Sequence, residues 1–134
     1  MIVGVQGTLE TTGPDWVNIR VGGVTLHVSI PANSVSMVGD LGSQVALHTH
    51  LRIRDEQPVL YGFTTRGSLD LFVLLNGVSG VGPRISLALL SSLGEAGVRQ
   101  AISSEDVANL CSAPGVGRRT AGRIILELKG ALDA

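Results

Sequence analysis

The chain of 134 residues is poor in aromatics, at 3%, with only Trp16, Tyr61, Phe63 and Phe72. A protein that binds single strands by stacking bases needs several exposed rings, and the first half offers three. One cysteine, Cys111, excludes an internal disulfide and suits a reducing cytosol. The longest Leu/Val/Phe run, Leu71 to Leu75, falls far short of the roughly 20 apolar residues that cross a bilayer. Met1 to Gly7 carries no basic stretch or cleavage site, so no secretory leader is expected and the expected location is cytoplasmic, away from membranes. No Walker motif is present, so ATP hydrolysis by this chain is not expected.

Charge is scarce as well, at 16% of residues and net −1. That argues against a simple nucleic-acid coat, but the distribution matters more than the sum. Residues 1–60 carry Arg20, Arg52 and Arg54 against Glu10, Asp15, Asp40, Asp55 and Glu56. Residues 110–130 carry Arg118, Arg119, Arg123 and Lys129 against Glu127 alone. Nine of the ten cations are arginine, so anion binding would be local and guanidinium-based.

Glycine, in contrast, is plentiful, at 18, and two textures meet near residue 64. The first 63 residues alternate apolar and polar. They predict strands at Ile2–Thr11 (with Gly4 and Gly7 allowing a bend or bulge), Trp16–Val21, Val24–Ile30, Gln44–Arg54 and Val59–Phe63. Gly22-Gly23 is a hairpin turn, and Pro31–Gly42 has room for a short helix. Five strands with an insertion between the third and fourth point to an OB-type barrel, with a sandwich or SH3-like barrel as the alternatives. From residue 64 the period is helical. A helix capped by Ser68 runs to Asn76, and Pro83 opens another to about Leu93. A short one spans Gly94–Ile102, and Ser103 to Asp106 caps a fourth. The last, about Arg118 to Leu132, has Ala121, Ile124, Ile125, Leu128 and Leu132 on one stripe. The expected architecture is a β-barrel domain, 1–63, followed by an all-α domain, 64–134.

The helical half contains a repeat. Gly80-Val81-Gly82-Pro83-Arg84-Ile85-Ser86 aligns with Gly115-Val116-Gly117-Arg118-Arg119-Thr120-Ala121, 35 residues later. Glycines let backbone approach a ligand closely, and the turn feeds a helix N-terminus whose free N–H groups favour an anion. A single Gly-x-Gly could be a tight packing turn. Two copies in matched phase, each beside arginine, favour phosphate binding. The pattern resembles the helix-hairpin-helix DNA-binding motif. Gly80, Gly82, Gly115 and Gly117 are the expected backbone contacts, and Arg84, Arg118, Arg119 and Arg123 the side-chain ones. Arg123 could equally pair with Glu127 one turn on.

Further stretches extend the likeness almost end to end: Val21-Gly22-Gly23-Val24, His48-Thr49-His50, Arg54-Asp55-Glu56 ahead of Leu60-Tyr61-Gly62-Phe63, Asn76-Gly77-Val78-Ser79, and Leu126-Glu127-Leu128-Lys129. With the two motifs, they make the chain resemble the RuvA family, the junction-binding subunits of the bacterial Holliday junction branch-migration complex. The resemblance implies tandem helix-hairpin-helix motifs behind an OB-fold barrel, and a homotetramer, single or stacked as an octamer. It would hold a four-way DNA junction open for an AAA+ motor ATPase in recombination and repair. It implies no catalytic site, cofactor or metal. Asp55 and Glu56, an ordinary polar hairpin tip on sequence grounds, become an acidic pin at the junction centre. Ser86 stands where the motif usually has alanine. The family carries a third domain that engages the motor. The chain stops at Ala134, so the expectation is a fragment that binds junctions without recruiting the motor.

Three other readings are weaker. Lyase-active glycosylases share the hairpin but place a lysine nucleophile where Arg119 stands, and arginine cannot form a Schiff base at neutral pH. A single-strand-binding OB protein lacks its rings. The third is a purely structural oligomerisation module, with the hairpins as packing turns, which a comparison of binding to junction, duplex and single strand would separate. His48 and His50 share a strand face, with His27 expected on a neighbouring strand, but no Cys or acid completes a metal set.

Overall fold

A computed structural model describes residues 2–133. Residues 4–63 form a closed five-stranded barrel of β1 (Gly4–Thr12), β2 (Trp16–Val21), β3 (Val24–Ser29), β4 (Gln44–Arg54) and β5 (Gln57–Phe63), in the order β1-β2-β3-β5-β4. Every pairing is antiparallel except β3 with β5, where Val28 lies opposite Leu60. Together with the segment inserted between β3 and β4, that order is OB-type and sets aside the sandwich and SH3-like alternatives. Alternate residues point inward, as strand geometry requires. Val5, Leu9, Val17, Ile19, Val28, Ile30, Val45, Leu47 and Leu60 form the core. The inserted segment folds as a 3-10 turn (Ala32–Ser34) and α1 (Val35–Val38), whose Val35 and Val38 pack on that core.

Several details depart from the sequence reading. The bulge in β1 falls between Leu9 and Thr11, not at the glycines. Gly7 serves another purpose, because a Cβ there would collide with the Arg20 carbonyl of β2. β5 begins at Gln57, two residues early, because Arg54 pairs with Gln57 and leaves only Asp55 and Glu56 in the turn. His27, on β3, is separated from the β4 histidines by β5.

The chain divides into two compact units, residues 1–69 and 70–134. α2 (Arg66–Asn76) starts two residues before Ser68, since its first turn is capped by Thr65, whose Oγ1 accepts the Ser68 N–H at 3.2 Å. α3 (Pro83–Ser103) is broken at Gly94 (φ 72°, ψ 170°), matching the two helices expected there. Glu105 (φ 55°) then reverses the chain, and the Asp106 carboxylate caps α4 (Val107–Leu110) by accepting the Asn109 N–H at 3.0 Å. α5 (Arg118–Asp133) buries Ala121, Ile124, Ile125 and Leu128 and packs against α3 and α4.

Candidate nucleic-acid interface

The two Gly-x-Gly segments fold alike, position for position. Gly80 and Gly115 sit at φ 83° and 85°, where an L side chain is strained. Val81 N–H donates to the Val78 carbonyl at 3.0 Å, and Val116 N–H to the Ala113 carbonyl at 3.2 Å. Ser86 N–H reaches the Gly82 carbonyl at 3.0 Å, and Ala121 N–H reaches Gly117 at 2.9 Å, closing the first turns of α3 and α5. In each copy an apolar residue, Val81 or Val116, anchors the turn by being buried.

Gly82 and Gly117 have no such conformational need. Gly82 is extended, at φ −103°, and a Cβ at either position would meet nothing within 4 Å. Neither fold strain nor packing within the chain calls for glycine there. What glycine leaves is open space in front of a helix N-terminus. At α3 that end has no side-chain cap, and Pro83 at N1 has no N–H to satisfy. The uncapped N–H groups and the helix dipole would suit an anion there.

The arginines complete the surface. Arg84, Arg118 and Arg119 are exposed. Among the described residues none of the three has a hydrogen bond or ion pair. An open groove of about 340 Å³ brings Arg84 and Ile85 of the first motif beside Pro114 and Gly115 of the second, so the two loops share one surface. Arg123 differs: its Nε lies 3.3 Å from Glu127 Oε2, an exposed i,i+4 pair. It also lines a shallow depression along α5 with Arg119 and Leu126.

Asp55 and Glu56 form the two-residue turn of the β4–β5 hairpin, and both have positive φ, 49° and 65°. That is a type I′ geometry, which ordinarily selects Asn-Gly. Both acids are exposed, and among the described residues neither has a hydrogen bond or ion pair. The tip therefore presents two adjacent carboxylates to the outside at a backbone cost.

Ring chemistry is sparse. Tyr61, Phe63 and Phe72 are buried. Trp16 is half-buried, its ring 4.9 Å from that of His27, whose Nδ1 donates to Asn18 Oδ1 at 2.7 Å. Burial, with Arg52 nearby, pulls the His50 imidazole below its ordinary pKa. Among the described residues no three His, Cys, Asp or Glu side chains come together as a metal site would require. No described helix is long and apolar enough to cross a membrane.

One polar contact escaped the sequence reading. Ser86, fully buried, lies 2.7 Å from the Asn76 side-chain amide and 3.0 Å from the Gly82 carbonyl, tying the end of α2 to the first hairpin. In the second motif the corresponding positions are Cys111 and Ala121. Only the register of the repeat, laid against an Asn ten residues upstream, hinted at it.

Comparison with known proteins matches both halves. Residues 1–62 match the RuvA N terminal domain, and residues 72–129 match the SAM-like helix-hairpin-helix tandem. The chain is 44% identical over its whole length to the Holliday junction branch migration complex subunit RuvA of Symbiobacterium thermophilum, covering 65% of that protein. It is also 44% identical to that of Thermomicrobium roseum, again over its whole length and covering 70%. Against that of Chloroflexus aggregans it is 41% identical, over 99% of the chain and 68% of the relative. The chain thus spans about two thirds of the length of the curated relatives it matches.

Proposed function

The chain belongs to the RuvA family, and we propose that it binds four-way DNA junctions by their shape, without reading base sequence. The observation that carries this is the pair of equivalent hairpins whose Gly82 and Gly117 face open space beside unpaired arginines. Backbone N–H groups and guanidinium groups at helix N-termini engage phosphates, which fix position and orientation but hold no sequence information.

In this reading the barrel domain (1–63) carries the acidic pin and the helical domain (64–134) the phosphate grip. Gly80, Gly82, Gly115 and Gly117 supply backbone; Arg84, Arg118 and Arg119 supply charge, and Arg123 exchanges Glu127 for a phosphate. Four copies around the crossover place four pairs of acids at its centre. Like charge there keeps phosphates apart and disfavours continuous duplex, an element of specificity by repulsion. The subunit contributes no bond-making chemistry. It holds the junction, as a tetramer or as two tetramers face to face, in a cytoplasmic complex whose AAA+ motor ATPase drives branch migration.

Electrophoretic competition tests the reading, with a four-way junction set against duplex and single strand of equal length. Junction retained over excess duplex of any sequence is the expected result. Preference for single strand would favour an OB-type strand binder, and no binding at all would leave the hairpins as packing turns.

A further inference from the structure

The β4–β5 hairpin continues beyond the rim of the barrel, and its two faces differ in chemistry. On β4, Val45, Leu47 and Thr49 point to the core and are buried. The same face next carries Leu51, half-buried against the core, and then Ile53, 72% exposed. Across the ladder Leu51 lies opposite the buried Leu60, and Ile53 opposite the exposed Pro58. The core-facing stripe thus runs out of the barrel and ends in an uncovered apolar pair. Arg52 and Arg54 occupy the opposite face, and Asp55 and Glu56 close the end. At a strand rise of about 3.3 Å per residue, the apolar pair sits roughly 7 Å below the acids.

We propose that Ile53 and Pro58 form an apolar wedge that packs against the base pairs at the crossover of the junction, holding them partly unstacked while strands exchange. The inference rests on the junction-binding reading and deepens it. Two features of the ribbon select bases as the occupant. Its three chemistries, apolar, cationic and anionic, lie within one short hairpin. A branch point offers base faces beside phosphates, and Ile and Pro are among the side chains that proteins insert between base steps. Two side chains also fall far short of the roughly 800 Å² that each partner buries in a stable protein interface. The acids repel backbone but leave base faces untouched, so the wedge supplies the attraction that the tip lacks.

The test uses the whole chain and a four-way junction carrying 2-aminopurine at the crossover, whose emission rises when the base unstacks. Emission is read at saturating protein, so that differences in affinity do not enter. Wild type is expected to raise the emission. Ile53→Thr keeps β-branching and strand preference but makes the tip polar, and it is expected to lose most of that rise. Ile53→Val is expected to keep it. A rise in Ile53→Thr equal to wild type, or no rise with wild type bound, would overturn the wedge while leaving junction binding intact. If sedimentation shows instead that Ile53→Thr changes the mass of the free protein, the pair is a contact between protein surfaces and the wedge is wrong. Failure of wild type to prefer junction over duplex would sink the underlying reading, and the wedge with it.

Discussion

Exchanging glycine for alanine at the four hairpin positions separates what the fold needs from what a ligand needs. At Gly80 and Gly115, φ is 83° and 85°. Alanine there costs about 1–2 kcal/mol in backbone strain, offset by about 0.4–1 kcal/mol from a stiffer unfolded chain. At Gly82 and Gly117 a Cβ meets nothing within 4 Å and φ is not in the left-handed region. The unfolded-state gain of about 0.4–1 kcal/mol is set there against a slightly poorer N-cap. Stability should therefore stay within about 0.5 kcal/mol of wild type. Binding should show the opposite order. A methyl group at Gly82 or Gly117 occupies the space a phosphate needs and removes one charge-assisted hydrogen bond, worth about 1.5–3 kcal/mol. That corresponds to about tenfold to a hundredfold in junction affinity for each hairpin. Urea unfolding gives the first quantity, and fluorescence anisotropy with labelled junction gives the second. A Gly82→Ala/Gly117→Ala protein that binds as tightly as wild type would refute the phosphate cradle and return both loops to the status of packing turns.

Three further outcomes follow from the same geometry. Changing Arg118 and Arg119 to alanine should weaken junction and duplex binding alike, and should flatten the slope of log K against log salt by about 1.8, for two phosphates; an unchanged slope means that these arginines do not touch DNA. Asp55→Asn with Glu56→Gln should raise duplex affinity relative to junction, most at low salt where repulsion is least screened; equal affinities at low salt would show that the tip is only a turn. Ser86→Ala restores the residue usual for the motif, yet it should cost about 1–3 kcal/mol on thermal unfolding, because it removes the hydroxyl that donates to Asn76 Oδ1, beside an Nδ2 that is already buried without a partner. A stability equal to wild type would mean that Asn76 finds another partner.

The strands and helices were legible because their signals are local. Alternation in Val17, Ile19 and Val28 fixes which face is buried, and the spacing of Ala121, Ile124, Ile125 and Leu128 fixes a helical stripe. The hairpins were legible for a related reason: a left-handed φ almost demands glycine, so a structural requirement is written in one residue type, twice, 35 residues apart. Features set by distant partners were not readable. Gly7 is glycine because of the Arg20 carbonyl on another strand, and Ser86 matters because of Asn76 across the turn. The sequence points to Ser68 as the α2 cap and misses Thr65 three residues before it, because both are capping residues and only the helix geometry decides which oxygen accepts which N–H.

The β4–β5 tip was misjudged in length because Asp-Glu is a poor sequence for the turn it makes, and that mismatch bears on function. Among the described residues three that are not glycine have left-handed backbone: Asp55, Glu56 and Glu105. At Glu105 the fold supplies a reason, since its carboxylate accepts a hydrogen bond from Lys129 Nζ at 2.8 Å and is held below the usual carboxylate pKa by that contact. Among the described residues Asp55 and Glu56 have no hydrogen bond or ion pair that would offset their strain. Strain without an internal return points outward, to a role in binding. Converting Asp55 to Asn and Glu56 to Gly installs the favoured type I′ pair. It should stabilise the barrel by about 1 kcal/mol, visible as a higher denaturation midpoint, while discrimination between junction and duplex falls. Glu105→Gly relieves the same backbone strain but gives up the Lys129 contact, so its midpoint should rise less. If the Asn-Gly turn brings no stability, the acids are not strained, and the case that they are kept for the junction loses its physical basis.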